Sequence, residues 1–389
     1  MQFPRRFSAL PDYAFPRLRA LLDRHEPGGP VRHMSIGEPR HDPPPFVGQV
    51  LADSLADFGR YPPNDGSDAL RQAIAGWVSR RYGIPLDADT QILALNGTRE
   101  GLFNAAVALC PEGGPVVLTP NPFYQVYAVA ALAVGAEPRY VPATSQTGFL
   151  PDYAALPAAV LDRTAIAYLC SPSNPQGAVA SEDYWRDLIE LAERHDFRIF
   201  ADECYSEIYR NAPPPGALEV AHRMGADPER VVIFHSLSKR SNLPGLRSGF
   251  AAGGPRTIAR MKQLRNYAGA PLPGPIQAVS ARAWADEAHV EASRLRYAAK
   301  FDTVDAIFDG IDGCAAPEAG FFLWLPVDDG EVATLRLWRE TGVRVLPGSY
   351  LSRTVDGATP GENFIRVALV AQEDEMRRGL IQLRDCLYR

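Results

Sequence analysis

The chain has 389 residues, 46% hydrophobic and 22% charged, a globular composition with more chain than one ordinary core accommodates, so two domains are expected. Its 40 basic and 46 acidic residues give a net charge of −6 without any basic block, which argues against a nucleic-acid partner. Five cysteines, at 110, 170, 204, 314 and 386, have neither metal-ligand nor disulfide spacing, and the odd count suits reduced thiols in the cytoplasm.

In chain order, Pro4, Pro11 and Asp12 stand where a signal peptide would carry its apolar core, and no run of about 18 apolar residues follows anywhere. Breaks rich in Gly and Pro at 27–30 and 42–45 flank Met34-Ser-Ile-Gly37-Glu-Pro39, where Gly37 lets backbone approach a ligand. From about 66 to 270, helical and strand-like runs alternate, the pattern of a mainly parallel sheet covered by helices. Asn96-Gly97-Thr98-Arg99 lies between a strand-like run and a helical run over 102–109. A Gly-Thr at a helix N-terminus suits a phosphate, and equally a plain N-cap. Thr119-Pro-Asn-Pro-Phe-Tyr124-Gln-Val-Tyr127 carries two aromatics, of which Tyr127 reads as core. The run 165–169 enters a turn-forming loop, Cys170-Ser-Pro-Ser-Asn174-Pro-Gln-Gly177, and a helical stretch over 183–195 precedes a strand over 197–201 that ends in Asp202-Glu-Cys-Tyr205. Cys170 and Cys204 read as small buried fillers.

The run 231–234 reads as a short buried strand, and Ser236-Leu-Ser238-Lys239-Arg-Ser-Asn-Leu-Pro-Gly-Leu-Arg247-Ser-Gly249 follows. A lysine is a poor nucleophile at its ordinary pKa of about 10.4. A nearby cation or a desolvated pocket frees the amine for Schiff-base chemistry. Arg247 presents a planar fork suited to phosphate oxygens, and Ser236 and Ser238 add short donors. This is the pattern of a phosphate-bearing aldehyde held covalently. Beyond it, Pro271-Leu-Pro-Gly-Pro275 redirects the chain into one long helical stretch over 276–308, and 317–325, 343–348 and Asn363-Phe-Ile-Arg366-Val-Ala-Leu read as segments of a smaller α/β domain.

Taken in order from Ile36 to Arg366, these motifs resemble the class I/II aminotransferases, fold-type I enzymes that use pyridoxal 5′-phosphate (PLP). Arg240 departs from the smaller or uncharged residue many of them carry, and Asn-Pro-Gln-Gly replaces Asn-Pro-Thr-Gly. The resemblance implies an α/β fold: a large domain (46–275) with a mainly parallel seven-stranded sheet, and a small domain formed by 276–389 with the arm 1–45. It implies a Schiff base on Lys239, which also acts as general base. It assigns the phosphate to Gly97, Thr98, Arg99 (mainly by its backbone), Ser236, Ser238 and Arg247, the pyridine face to Tyr124, and the ring nitrogen to Asp202. Asn174 and Tyr205 fall at the phenolic oxygen, and Gly37, Asn174 and Arg366 at the substrate α-carboxylate. Tyr61, in Arg60-Tyr-Pro-Pro-Asn-Asp-Gly66, falls at the phosphate of a partner subunit, so a homodimer with shared sites is expected.

The segments 95–103 and 363–369 look most like succinyldiaminopimelate aminotransferases of lysine synthesis, with glutamate as donor. Arg40, Arg265 and Arg344 are candidates for the second carboxylate. An aminotransferase of aspartate or aromatic type, and a PLP-dependent C–S lyase, remain as alternatives. Some transcription regulators carry this fold behind a DNA-binding domain, for which the residues before Met34 are too few.

Overall fold

The computed structural model describes residues 5–8, 10 and 12–389. Seven strands form the main sheet: β1 (Ile92–Leu95), β2 (Val116–Asn121), β3 (Glu137–Pro142), β4 (Thr164–Cys170), β5 (Arg198–Asp202), β6 (Val231–Ser236) and β7 (Gly249–Gly253). Their spatial order is β1-β7-β6-β5-β4-β2-β3. Every neighbouring pair is parallel except the two made by β7.

Parallel strands are covered on both faces and read as unbroken apolar runs. Accordingly β2, β4 and β6 are buried at every residue. Alternate side chains serve opposite faces. Val117, Ile166 and Val232 pack with Leu102, Tyr127 and Met261, whereas Val116, Ala167 and Ile233 pack with Trp77, Trp185 and Trp284. The covering helices carry ordinary start signals: Ser67 and Ser181 accept the amides of Leu70 and Tyr184 to open Asp68–Tyr82 and Glu182–His195.

Two expectations need correction. The single helix over 276–308 is two, Gly274–Ala285 and Ala288–Phe308, because the Asp286 carboxylate takes the amide of His289 (3.1 Å) and starts a new helix. Val279, Ala283 and Trp284 of the first belong to the core beside the main sheet, so its packing continues past residue 275. The strand foreseen over 317–325 begins only at Phe322, after Gly320 turns the chain at φ 80°.

The smaller unit has an antiparallel sheet of β8 (Phe322–Pro326), β9 (Leu346–Pro347) and β10 (Phe364–Ala368), in the order β9-β10-β8. Its core gathers Phe301, Leu323, Leu337, Ile365 and Leu380. The N-terminal arm joins it: Arg32–His33 pairs with Val343–Arg344, and Leu18 packs with Trp338 and Leu346. Residues 34–41 then run along the end of β10, with Ala368 donating to Met34 O (2.7 Å) and Arg40 to Val370 O (3.2 Å).

Candidate active site

The carboxyl ends of the parallel strands and the start of β7 meet at one edge of the main sheet, where ligand sites of such folds lie. Arm and β10 close over that edge and leave a cavity of about 260 Å³. The chain has three lysines in all. Lys262 is tied to Asp65 and Asp89 O (3.0 and 2.6 Å). Lys300 is buried in the smaller unit. Only Lys239 lines the cavity.

Lys239 sits in a one-turn helix, Leu237–Arg240, directly after β6. Its Nζ donates to Gly37 O of the arm. Burial lowers its amine to about 8, opposed by Cys204 and assisted by the cations Arg366 and Arg247. Such an amine is part deprotonated near neutrality, as a Schiff-base lysine must be. Arg240 faces away from the cavity. Its guanidinium lies 5.5 and 5.0 Å from the ring centroids of Trp77 and Trp284 and bonds Glu287 (2.9 Å) and Ala283 O (2.8 Å). The unusual arginine therefore anchors the lysine's helix and leaves the site's chemistry alone.

One end of the cavity suits a phosphate. Ser236 and Ser238 hydroxyls lie 2.9 Å apart, Thr98 is at the start of its helix, and Arg247 bonds only Pro244 O (2.9 Å) among the described residues. Gly97, at φ 84°, allows this closeness: a Cβ there would fall 2.2 Å from Arg247 Nη2. A guanidinium without a carboxylate partner, beside hydroxyls and bare backbone, fits a dianion. Thr98 Oγ1 also lies 3.2 Å from Cys204 Sγ.

Asp202, at the end of β5, is buried, and burial raises its carboxyl. Its Oδ2 accepts from Tyr127 (2.8 Å), and its Oδ1 takes a long bond from Cys204 N (3.4 Å). A cation placed against it would reverse that shift. Tyr124, Asn174 and Tyr205 line the same space. Arg366 is buried on β10, lowered by burial to about 10, and donates to Asn174 Oδ1 (2.8 Å) and Ser35 O (2.7 Å). Its Nε has no partner among the described residues, and no carboxylate neutralises it. A buried unpaired cation costs several kcal/mol, which an incoming carboxylate would recover. The cavity thus has a place for each part of PLP and of an α-amino acid.

Some expectations fall elsewhere. Arg265 is committed to Glu100 (2.5 Å), Arg40 to Glu375 (3.4 Å) and Arg344 to Asp23 (3.7 Å), and none reaches the cavity. Tyr61 is fully exposed and lies outside its own chain's cavity. Arg99 does more than lend backbone: its guanidinium lines the cavity and bonds the hydroxyls of Tyr124 (2.8 Å) and Tyr13 (3.3 Å). Cys170 and Cys204 are cavity wall as well as filler. Sequence reading missed Tyr13 and Phe15, which the arm brings in from far along the chain, and it missed the bond from Tyr127. Only Tyr127 left a signal, one helical turn beyond Tyr124.

The sequence pattern of the family "Aminotransferase class I and II" matches residues 30–382. The chain belongs to this family. Its members use PLP as a Schiff base on a lysine, and it is accordingly a PLP-dependent aminotransferase acting on small amino and oxo acids. It is 31% identical to an LL-diaminopimelate aminotransferase of Dehalococcoides mccartyi, over 98% of each chain. Among solved structures it resembles an aminotransferase from Neisseria meningitidis (36% identity, all of both chains, TM-score 0.95). It also resembles a probable N-succinyldiaminopimelate aminotransferase from Thermus thermophilus (27% identity, 96% of this chain and 100% of that one, TM-score 0.85). These aminotransferases share the fold-type I architecture described above. No helix among the described residues is long and apolar enough to cross a membrane.

Proposed function

We propose that this aminotransferase moves an amino group between glutamate and a diaminopimelate-type 2-oxo acid, a step of lysine synthesis in the cytoplasm. The observation that carries a substrate with a second carboxylate is Arg99. Of the three arginines in the cavity wall among the described residues, its guanidinium is the one that neither the phosphate nor the α-carboxylate claims, and two tyrosine hydroxyls steady it. The names of the relatives, LL-diaminopimelate and N-succinyldiaminopimelate aminotransferase, support that substrate class.

PLP, when bound, supplies an electron sink that makes the Cα proton of an amino acid labile. In our reading Lys239 holds the cofactor and then, once displaced, carries that proton as general base. Asp202 keeps the ring nitrogen protonated, Tyr124 covers the ring face, and Asn174 and Tyr205 meet the phenolic oxygen. Gly97, Thr98, the Arg99 backbone, Ser236, Ser238 and Arg247 hold the phosphate. Arg366, with Asn174 and the Gly37 backbone, seats the α-carboxylate.

Tyr61 completes the phosphate site of a second copy in a homodimer. Its full exposure, with Leu55, Phe58 and Tyr267 also exposed, supports a covered face there.

The test is steady-state kinetics with LL-diaminopimelate, its succinylated form and glutamate as donors, each against 2-oxoglutarate or the matching oxo acid. Parallel double-reciprocal lines with a diaminopimelate donor are expected. Turnover confined to aspartate or aromatic donors would overturn the substrate reading, and pyruvate release from cystathionine without an oxo acid would favour a lyase.

A further inference from the structure

Asp202 takes its shortest hydrogen bond from a residue that reads from sequence as core, with Cys204 as its other partner. Tyr127 is fully buried, and its hydroxyl lies 2.8 Å from Asp202 Oδ2. Its ring is held on several sides. It stacks on Tyr168 (centroids 4.5 Å apart, planes 12° apart) and meets the edge of Tyr124 at 5.7 Å. Tyr168 is fixed in turn by its hydroxyl to Leu102 O (2.8 Å) and by edge contact with Phe200. Leu102 belongs to the helix Thr98–Leu109, whose first turn borders the phosphate end. One aromatic strut therefore links the phosphate helix to the Asp202 carboxylate.

The chemistry of the donor matters as much as its rigidity. A lysine or arginine here would neutralise Asp202 and remove its attraction for a protonated pyridine. A phenol supplies a hydrogen bond without a charge, so it fixes the carboxylate and leaves its full charge for the ring.

We propose that Tyr127 is a positioning residue for PLP, orienting and stabilising the ionised Asp202 carboxylate that faces the ring nitrogen. The proposal rests on assigning Asp202 to that nitrogen. Tyr127→Phe keeps the stack on Tyr168 and removes only the hydroxyl, leaving Oδ2 without its donor. Loss of a hydrogen bond to a charged group in a buried site corresponds to about tenfold or more in affinity.

The experiment is a double-mutant cycle read by PLP binding to apoprotein, using the visible absorbance and fluorescence of the bound cofactor, with the melting temperature of each apoprotein alongside. For Tyr127→Phe we expect a PLP dissociation constant raised about tenfold, a shifted pH titration of the visible band, and an apoprotein melting temperature within about 2 °C of wild type. In an Asp202→Asn background the same change should have little further effect. Unchanged affinity and titration in Tyr127→Phe would overturn the proposal, as would an equal effect in the Asp202→Asn background. A fall in apoprotein stability matching the fall in affinity would show a purely structural residue. If Asp202→Asn itself binds PLP as wild type does, it is the ring-nitrogen assignment that fails.

Discussion

Lys239 and Arg366 are both cations that the fold holds away from water, and they answer burial differently. The lysine can shed its proton. With its amine near 8, uptake of PLP by the apoprotein should quicken as pH rises and level off above about 8, where free lysine would still be climbing toward 10.5. Stopped-flow uptake rates across pH 6–10 measure this. The arginine keeps its charge and waits for a carboxylate. Arg366→Gln should raise KM for amino donors by about 10–100-fold, with a smaller loss in kcat. Both residues were legible in sequence because their neighbours form ordered motifs. Arg99's reach and Tyr127's bond were not, since each depends on a side chain whose partner lies on another element: Tyr13 on the arm, Asp202 on β5.

At the scale of elements, two short segments decide where the site sits. The one-turn helix bearing Lys239 is too short to hold itself, and Arg240 fixes it by stacking near Trp77 and Trp284 and pairing with Glu287. Arg240→Ala should cost about 2–4 kcal/mol in denaturant unfolding, since it strips the ring contacts, the buried bond to Ala283 O and the nearer of the two arginines that pair with Glu287.

The segment 34–41 is the other. Lys300 Nζ bonds His41 Nε2 (2.9 Å), Leu369 O (2.8 Å) and Ala371 O (2.7 Å), tying the arm to the end of β10. Burial, then Lys300 and Arg296, lower the His41 ring to about 4, with Asp42 opposing. Burial also lowers Lys300 to about 7, opposed by Glu373 and assisted by Arg296. Between pH 6.5 and 4 the unfolded chain binds a proton at His41 that the folded chain refuses, so stability falls as pH falls through that window. His41→Gln should flatten this part of the stability–pH curve measured by urea unfolding. Nothing in the sequence marks this tie, because Lys300 sits amid a helix of mixed composition and two of its three acceptors are backbone carbonyls.

For the whole molecule, the architecture was the more legible part. Buried strands such as 231–234 and 165–169 announce themselves as apolar runs, and their alternation with helices implies the parallel sheet. Boundaries were harder. The break at Asp286 turns on a single side-chain cap inside a long helical pattern, and the assignment of helix Gly274–Ala285 to the main core depends on which tryptophans it meets. Assembly lies further out still. If Tyr61 serves a second copy, sedimentation should give a dimer, and Tyr61→Phe should weaken PLP retention although Tyr61 touches no part of its own cavity.

Everything proposed for the site turns on Lys239 as the residue that carries the cofactor. Having only three lysines makes the test sharp. The PLP-loaded protein is reduced with borohydride, digested, and its peptides are read by mass spectrometry. The pyridoxyl adduct is expected on Lys239 alone, and its loss in Lys239→Ala together with several orders of magnitude in turnover. An adduct on Lys262 or Lys300, or turnover at the wild-type rate in Lys239→Ala, would contradict it.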